Sequence, residues 1–227
     1  MLTDYWPLFG LRVTTPRLEL RVAGQDELFA LVELAGRGVH DPDYMPFTTP
    51  WTRAPQPAMA RNALKYFWSL WANWSPEEWQ LMFAVVHDGE VVGVQECGAK
   101  DFAHRYEIGS GSWLGLAHQG KGFGTEMRAA MLELAFAGLG ARWAVSSALL
   151  DNAPSLAVSR RLGYVDDGVQ ILAYEDGTPR PLQRLRLTRE AWLEHRTIPA
   201  EIHGLDACRD MFGLADEPSR DAVTTTR

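Results

Sequence analysis

The sequence predicts a mixed α/β domain arranged around one sheet. Three observations carry that prediction: strand-like and helix-like runs alternate along the chain, Asp88-Gly89 joins two apolar runs, and a glycine-rich loop stands at a strand-to-helix junction. Residues 17–22 alternate as a short strand, and 24–34 place Leu28, Leu31 and Val32 on one helical face that Ala35 continues. Pro42, Pro46, Pro50, Pro55 and Pro57 then impose a loop, after which 58–74 turn helical. Residues 81–87 and 91–98 flank the Asp88-Gly89 turn as an antiparallel hairpin, and 106–114 add a third strand to the meander. The helix over 123–136 repeats Met127, Ala130, Met131, Leu134 and Ala135 at helical spacing and stops at Gly138 and Gly140. A strand over 143–150, a helix over 154–162 halted by Gly163, and strands over 164–174 and 182–187 follow. Thr188 caps a last helix, 189–196. Residues 1–196 thus form one domain, and 197–227, without periodicity and polar at the end, are expected to be a partly disordered extension.

Composition narrows the function. A chain of 227 residues that is 46% hydrophobic builds one core. A net charge of −7 argues against a general nucleic-acid binder, because phosphate neutralisation needs a concentrated basic face; a local positive field is expected only at Lys121 and Arg128. Cys97 and Cys208 are too few and too far apart for a disulfide framework, and the histidines lack ligand spacing, so a reducing cytoplasm and no metal are expected. No run approaches ~18 apolar residues, which predicts a soluble protein with no membrane partner.

Gln119-Gly120-Lys121-Gly122-Phe123-Gly124-Thr125 reads as a phosphate cradle: glycines let successive N–H groups and the positive end of the next helix converge on an anion. Walker A fits from Gly115 to Lys121 but meets Gly122 where a magnesium-binding hydroxyl belongs. A dinucleotide fingerprint needs Gly-x-Gly-x-x-Gly after a parallel strand, whereas the spacing here is Gly-x-Gly-x-Gly after a meander.

The pattern Gln119, Gly122, Gly124 instead resembles the acetyl-CoA pyrophosphate loop of the GNAT superfamily of N-acetyltransferases. Asn152-Ala153-Pro154-Ser155, running on to Arg161-Leu162-Gly163-Tyr164, resembles that family's next motif, and Thr15-Pro16-Arg17-Leu18 with Glu107-Ile108-Gly109 resemble its Rim-type branch of ribosomal-protein N-terminal acetyltransferases. The resemblance covers roughly residues 11 to 196. It implies a central, mostly antiparallel sheet flanked by helices, acetyl-CoA as cosubstrate, and direct transfer to an amine in a ternary complex. It further implies that the amides of Gln119, Gly120, Gly122, Gly124 and Thr125 hold the pyrophosphate, with Lys121 and Phe123 in the same loop. The edge formed by Trp113, Leu114 and Gly115 would pair with the pantetheine, and Asn152 and Ser155 would touch its other side.

Acetyl transfer needs a neutral amine, a polarised carbonyl and a proton for the departing thiolate. Since a lysine amine titrates at about 10.4, a carboxylate or an ordered water chain should assist. Glu96 is the first choice, expected on one strand face with Val92 and Val94; Glu107 is second and Glu175 third. The Leu114 amide is the candidate carbonyl donor, and Ser155, ahead of Tyr164, the candidate source of the thiolate's proton. Cys97 reads as a small buried residue. Trp68, Trp71 and Trp74 recur every three residues, with Trp51 and Trp79 close in sequence, as a core stripe, an acceptor wall or, if exposed, a homodimer surface. The acceptor stays open between a protein N-terminus and a small amine, and a non-catalytic acyl-CoA-binding module is the alternative function.

Overall fold

The two-residue Asp88-Gly89 turn sets the register of the sheet. Both residues take positive φ, 49° and 82°, the geometry whose twist matches the strands it joins. A computed structural model describes residues 2–174 and 177–214. Along the chain lie β1 (Arg12–Thr14), β2 (Glu19–Val22), α1 (Gln25–Gly36), α2 (Ala58–Ala72), β3 (Glu78–His87), β4 (Glu90–Lys100), α3 (Phe102–Arg105) and β5 (Glu107–Leu114). Then come α4 (Phe123–Glu133), β6 (Trp143–Leu149), α5 (Ala153–Arg161), β7 (Val165–Ala173), β8 (Pro179–Thr188), α6 (Arg189–His195) and β9 (Glu201–His203). A π-turn, Leu134–Gly138, continues α4. The strands form one sheet in the order β7-β8-β6-β5-β4-β3-β2-β1-β9. Every pairing is antiparallel except β5 with β6. This is the mixed, mostly antiparallel sheet that the sequence predicts.

Each face of the sheet has its own core. On one, Phe83, Val85, Cys97, Ile108 and Leu114 pack with Met127 and Met131 of α4, Leu156 of α5 and Trp192 of α6. On the other, Met82, Ala84 and Val94 pack with Leu28 and Leu31 of α1 and Phe67 of α2. Between Val85 and Val86 the β3–β4 register slips, with Val85 opposite Gly93 and Val86 opposite Val91. Val92 is therefore the extra residue of a β-bulge, and the bulge reverses the alternation. Val92 joins the α4 core while Val94 joins the α1–α2 core. The expectation that Val92, Val94 and Glu96 share a face is thus corrected: Glu96 follows Val94 alone.

The tryptophan stripe divides. Trp71 meets Phe9 edge-on at 5.5 Å, Trp74 stacks on Trp79 at 5.8 Å, and Trp68 is exposed.

Residues 197–214 belong to the fold, contrary to an extension that starts at 197. β9 pairs with β1 at the edge of the sheet, and Leu205, Cys208 and Phe212 are buried in the α4-side core. Phe212 lies 4.9 Å from the Trp79 ring, and Trp74 Nε1 donates to the Met211 carbonyl at 2.9 Å. Three-residue strands and short 3₁₀ turns carry no period, so sequence patterning misses them. Residues 215–227 lie outside the described residues. Among those described, no helix is long and apolar enough to cross a membrane.

Phe212→Ala should destabilise the fold by about 3–5 kcal/mol, the usual cost of emptying a fully buried aromatic site. Urea denaturation followed by tryptophan fluorescence measures it; a loss below about 1 kcal/mol would show this segment to be peripheral.

Candidate active site

The glycine loop takes the shape its sequence requires. Gly120 and Gly122 adopt positive φ, 71° and 84°, and Gly122 is the N-cap of α4. The loop amides from Gly120 to Thr125 find no acceptor among the described residues; the first bond into α4 is Glu126 N to the Gly122 carbonyl, 3.2 Å. A row of bare N–H groups at a helix N-terminus is an anion site. Gln119 departs from expectation, because its N–H donates to the Leu116 carbonyl at 3.2 Å in a tight turn and is lost to the cradle. Its side chain instead ties the loop to the carbonyls of Val39 and Leu114, at 2.8 and 2.9 Å. Lys121 is exposed, whereas Phe123 is buried beneath the loop, 4.5 Å from the His87 ring, so only its amide is available. A Cβ on Gly124 would make ordinary contact with Val158 of α5, 3.6 Å away.

Glu126 fixes the cradle from below. Though buried in the first turn of α4, it accepts from Thr15 Oγ1 at 2.7 Å, Arg17 N at 3.0 Å and Arg17 Nε at 2.7 Å. Arg17 also donates to the Lys121 carbonyl at 3.1 Å and places its guanidinium 3.3 Å from where a Gly122 Cβ would stand. The Thr15-Pro16-Arg17 motif is therefore part of the loop's foundation, and it sets an Arg17–Glu126 ion pair, 2.6 Å, beside the cradle where sequence reading had placed none.

Beside the cradle the sheet opens. β5 and β6 pair only over Glu107–Gly109 and Trp143–Val145, then part. Gly115 N donates to the Val92 carbonyl at 3.0 Å, which fixes the hydrogen-bond parity along β5. Residues in phase with Gly115, including Trp113 and Gly111, turn their backbone groups to β4, whereas Ser112 and Leu114 turn theirs to the gap. Of the expected edge Trp113, Leu114 and Gly115, only Leu114 thus offers its N–H to the slot. On the α4 side Arg128 bridges the gap, donating to Ser112 Oγ at 3.0 Å, Ser146 Oγ at 3.2 Å and Gln95 Oε1 at 3.4 Å. Its acceptors are neutral and it is only 4% exposed, so its unpaired charge acts from the interior on the α4 side of the gap rather than from the surface.

Glu96 lies on the other face, in a cavity of about 650 Å³ that Gly111, Ser112 and Trp113 of β5 also line. Its Oε2 accepts from Gln80 Nε2 at 2.7 Å and Tyr66 Oη at 3.2 Å. Burial raises its pKa above the ordinary carboxylate value, and those two donors partly offset the rise. Glu107 sits at the closed end of β5, paired with Arg105 at 2.7 Å and Arg186 at 3.6 Å, and this withdraws it from candidacy. Glu175 lies outside the described residues.

Asn152 is the N-cap of α5, accepting from Ser155 N at 3.2 Å, and its Nδ2 donates to the Pro46 carbonyl at 3.4 Å. The Ser155 amide is spent on that cap, while its hydroxyl bonds to no described residue. The Tyr164 hydroxyl is buried without a partner in bonding geometry, and burial raises its pKa. Among the described residues no group of His, Cys, Asp and Glu side chains could hold a metal ion.

The family match assigns this anion cradle beside a parted parallel pair to an acetyl-CoA-dependent acyltransferase. Residues 17–165 match the acetyltransferase (GNAT) domain, and the chain belongs to that family. Similar folds include Mycobacterium smegmatis RimJ in complex with CoA-disulfide, at TM-score 0.66 and 20% identity over 88% of this chain and 91% of that one. RimL, a ribosomal L7/L12 alpha-N-protein acetyltransferase in complex with coenzyme A, aligns at TM-score 0.62 and 22% identity over 78% and 97% of the two chains. A GCN5-related N-acetyltransferase from Brucella melitensis aligns at 0.64 and 19% over 82% and 81%.

Gly122→Asp should weaken coenzyme A binding by at least about tenfold, since Asp tolerates positive φ but sets a carboxylate among the bare amides. Gly124→Ala should bind within about threefold of wild type, its Cβ making only ordinary contacts with Val158 and Leu114. Calorimetric titration with coenzyme A, with circular dichroism to confirm folding, reads both.

Proposed function

We propose that the protein transfers the acetyl group of acetyl-CoA to a primary amine, by direct attack, in the cytoplasm and without a metal. The observation that supports this reading most is the convergence on β5: bare amides lead to the slot, the Leu114 N–H faces into it, and Glu96 of the neighbouring β4, opposite Gly111, lines the cavity on the other face. The diphosphate would lie against Gly120–Thr125 and the pantetheine would run along the free edge of β5 past Ser112 and Leu114. Asn152 would border the pantetheine from the N-terminus of α5, which it caps.

The amine nitrogen bonds to the thioester carbonyl carbon and the C–S bond breaks. Glu96 accepts the amine's proton, the Leu114 N–H meets the charge that gathers on the carbonyl oxygen, and Ser155 returns a proton to the thiolate. An acyl-cysteine route has no support, because burial pushes the Cys97 thiol up to about 12 and its side chain lies in the α4-side core, away from Glu96. The folds of RimJ and RimL make a protein N-terminus one acceptor to test beside small amines.

Glu96→Gln should lower kcat by about 10²-fold or more while leaving coenzyme A affinity unchanged. Release of the coenzyme A thiol with a panel of amines is the assay; unchanged turnover would remove Glu96 from the base role. A base must be ionised, so kcat/KM of the wild type should fall as pH drops through the raised pKa of Glu96, above the usual carboxylate range. Tyr66→Phe deletes a donor that favours the ionised form and should move this limb to higher pH, whereas Glu96→Gln should abolish it.

A further inference from the structure

The cavity beside Glu96 has aromatic walls from separate parts of the chain. Phe47 and Trp51 come from the proline-rich loop after α1, Trp113 from β5, and Tyr66 and Phe67 from α2. Phe47 and Trp51 are 5.4 Å apart and Trp51 and Trp113 5.7 Å, so three rings make one continuous surface. The loop that carries two of them is held from several sides: Tyr174 Oη donates to the Phe47 carbonyl at 2.8 Å, Arg180 Nη1 to the Met45 carbonyl at 3.3 Å, and His40 and Thr52 are bonded at 2.7 Å. Among the described residues that line the cavity, Glu96 is the one charged group. Both of its hydrogen bonds fall on Oε2, and Oε1 accepts none from a described residue.

We infer that the acceptor is a small primary amine with a flat aromatic body and no carboxylate, an inference that rests on the acetyl-transfer reading of the same site. The open Glu96 oxygen receives the ammonium and then its proton, and the ring surface of Phe47, Trp51 and Trp113 takes the aromatic body. Aromatic rings also favour a cation held near their faces. An amino acid would bury its carboxylate with no lining cation to pair it, which is costly. A peptide N-terminus would bring a run of amide groups against the same rings, where only Thr48, Thr49 and Asn62 of the lining stand near as uncharged polar partners besides Tyr66 and Ser112. The volume lies within the range of small-molecule sites, about 300–1,000 Å³.

The full chain, with coenzyme A bound, is titrated calorimetrically with 2-phenylethylamine, n-propylamine, L-phenylalanine and a tripeptide amide that begins with Phe. Acetyl-CoA turnover is measured with the same four. 2-Phenylethylamine should bind at least about tenfold more tightly than propylamine, from burial of the ring, and at least about tenfold more tightly than phenylalanine or the peptide. Trp51→Ala should erase the preference over propylamine, whereas Trp68→Ala, outside the lining and exposed, should keep it. Should Trp51→Ala fail to fold, the wild-type comparison decides alone. Equal affinity for 2-phenylethylamine and propylamine, or tighter binding of phenylalanine or the peptide, would overturn the inference. Thiol release with another amine, while 2-phenylethylamine neither binds nor reacts, would sink this acceptor class and leave acetyl transfer standing. The expected binding order without thiol release would uphold the pocket and remove acetyl transfer.

Discussion

β5 and β6 stay paired for only a short stretch, and the site depends on their parting. A strand inside a sheet has both edges satisfied, so an edge that loses its neighbour becomes a row of donors and acceptors seeking a partner. Here that row is reached from the bare amides of the glycine loop, so one extended ligand would satisfy both. The gap is bridged by the Arg128 guanidinium, which donates to hydroxyls on both departing strands. A buried cation among neutral acceptors costs free energy, and its position across the opening explains where that cost is spent.

The two sides of the site are assembled from opposite ends of the sequence. Glu126 lies more than a hundred residues from Thr15 and Arg17, yet it accepts both and so anchors the helix that carries the cradle to the first hairpin of the sheet. The proline-rich loop is likewise held by Tyr174 and Arg180 from the β7–β8 region. Its prolines remove conformations before folding, which reduces the entropy lost when the loop is fixed. The cavity beside Glu96 is therefore largely shaped before any ligand arrives.

Local chemistry is what the sequence made legible. The Asp88-Gly89 hairpin, the glycine cradle opening α4 and the Asn152 cap each depend on a few adjacent residues, and each stands where the sequence puts it. Non-local features were hidden. The bulge at Val92 needs knowledge of what lies opposite it, so Glu96 was set beside the cofactor strand with the wrong companion on its face. β1 and β9 are too short to show a period, and Gln119 was credited with an amide that its own turn consumes. An aromatic wall was sought among Trp68, Trp71 and Trp74 with Trp51 and Trp79 close in sequence; of these only Trp51 lines the cavity, where Trp113 joins it through the path of the loop.

The β1–β9 pairing joins residues near 12 to residues near 203. A growing chain on the ribosome therefore displays the outer edge of β1 long before β9 is synthesised, and Trp79 waits in its turn for Phe212. The last contacts of the domain therefore form only once this late segment emerges, and until then the sheet carries a naked strand edge.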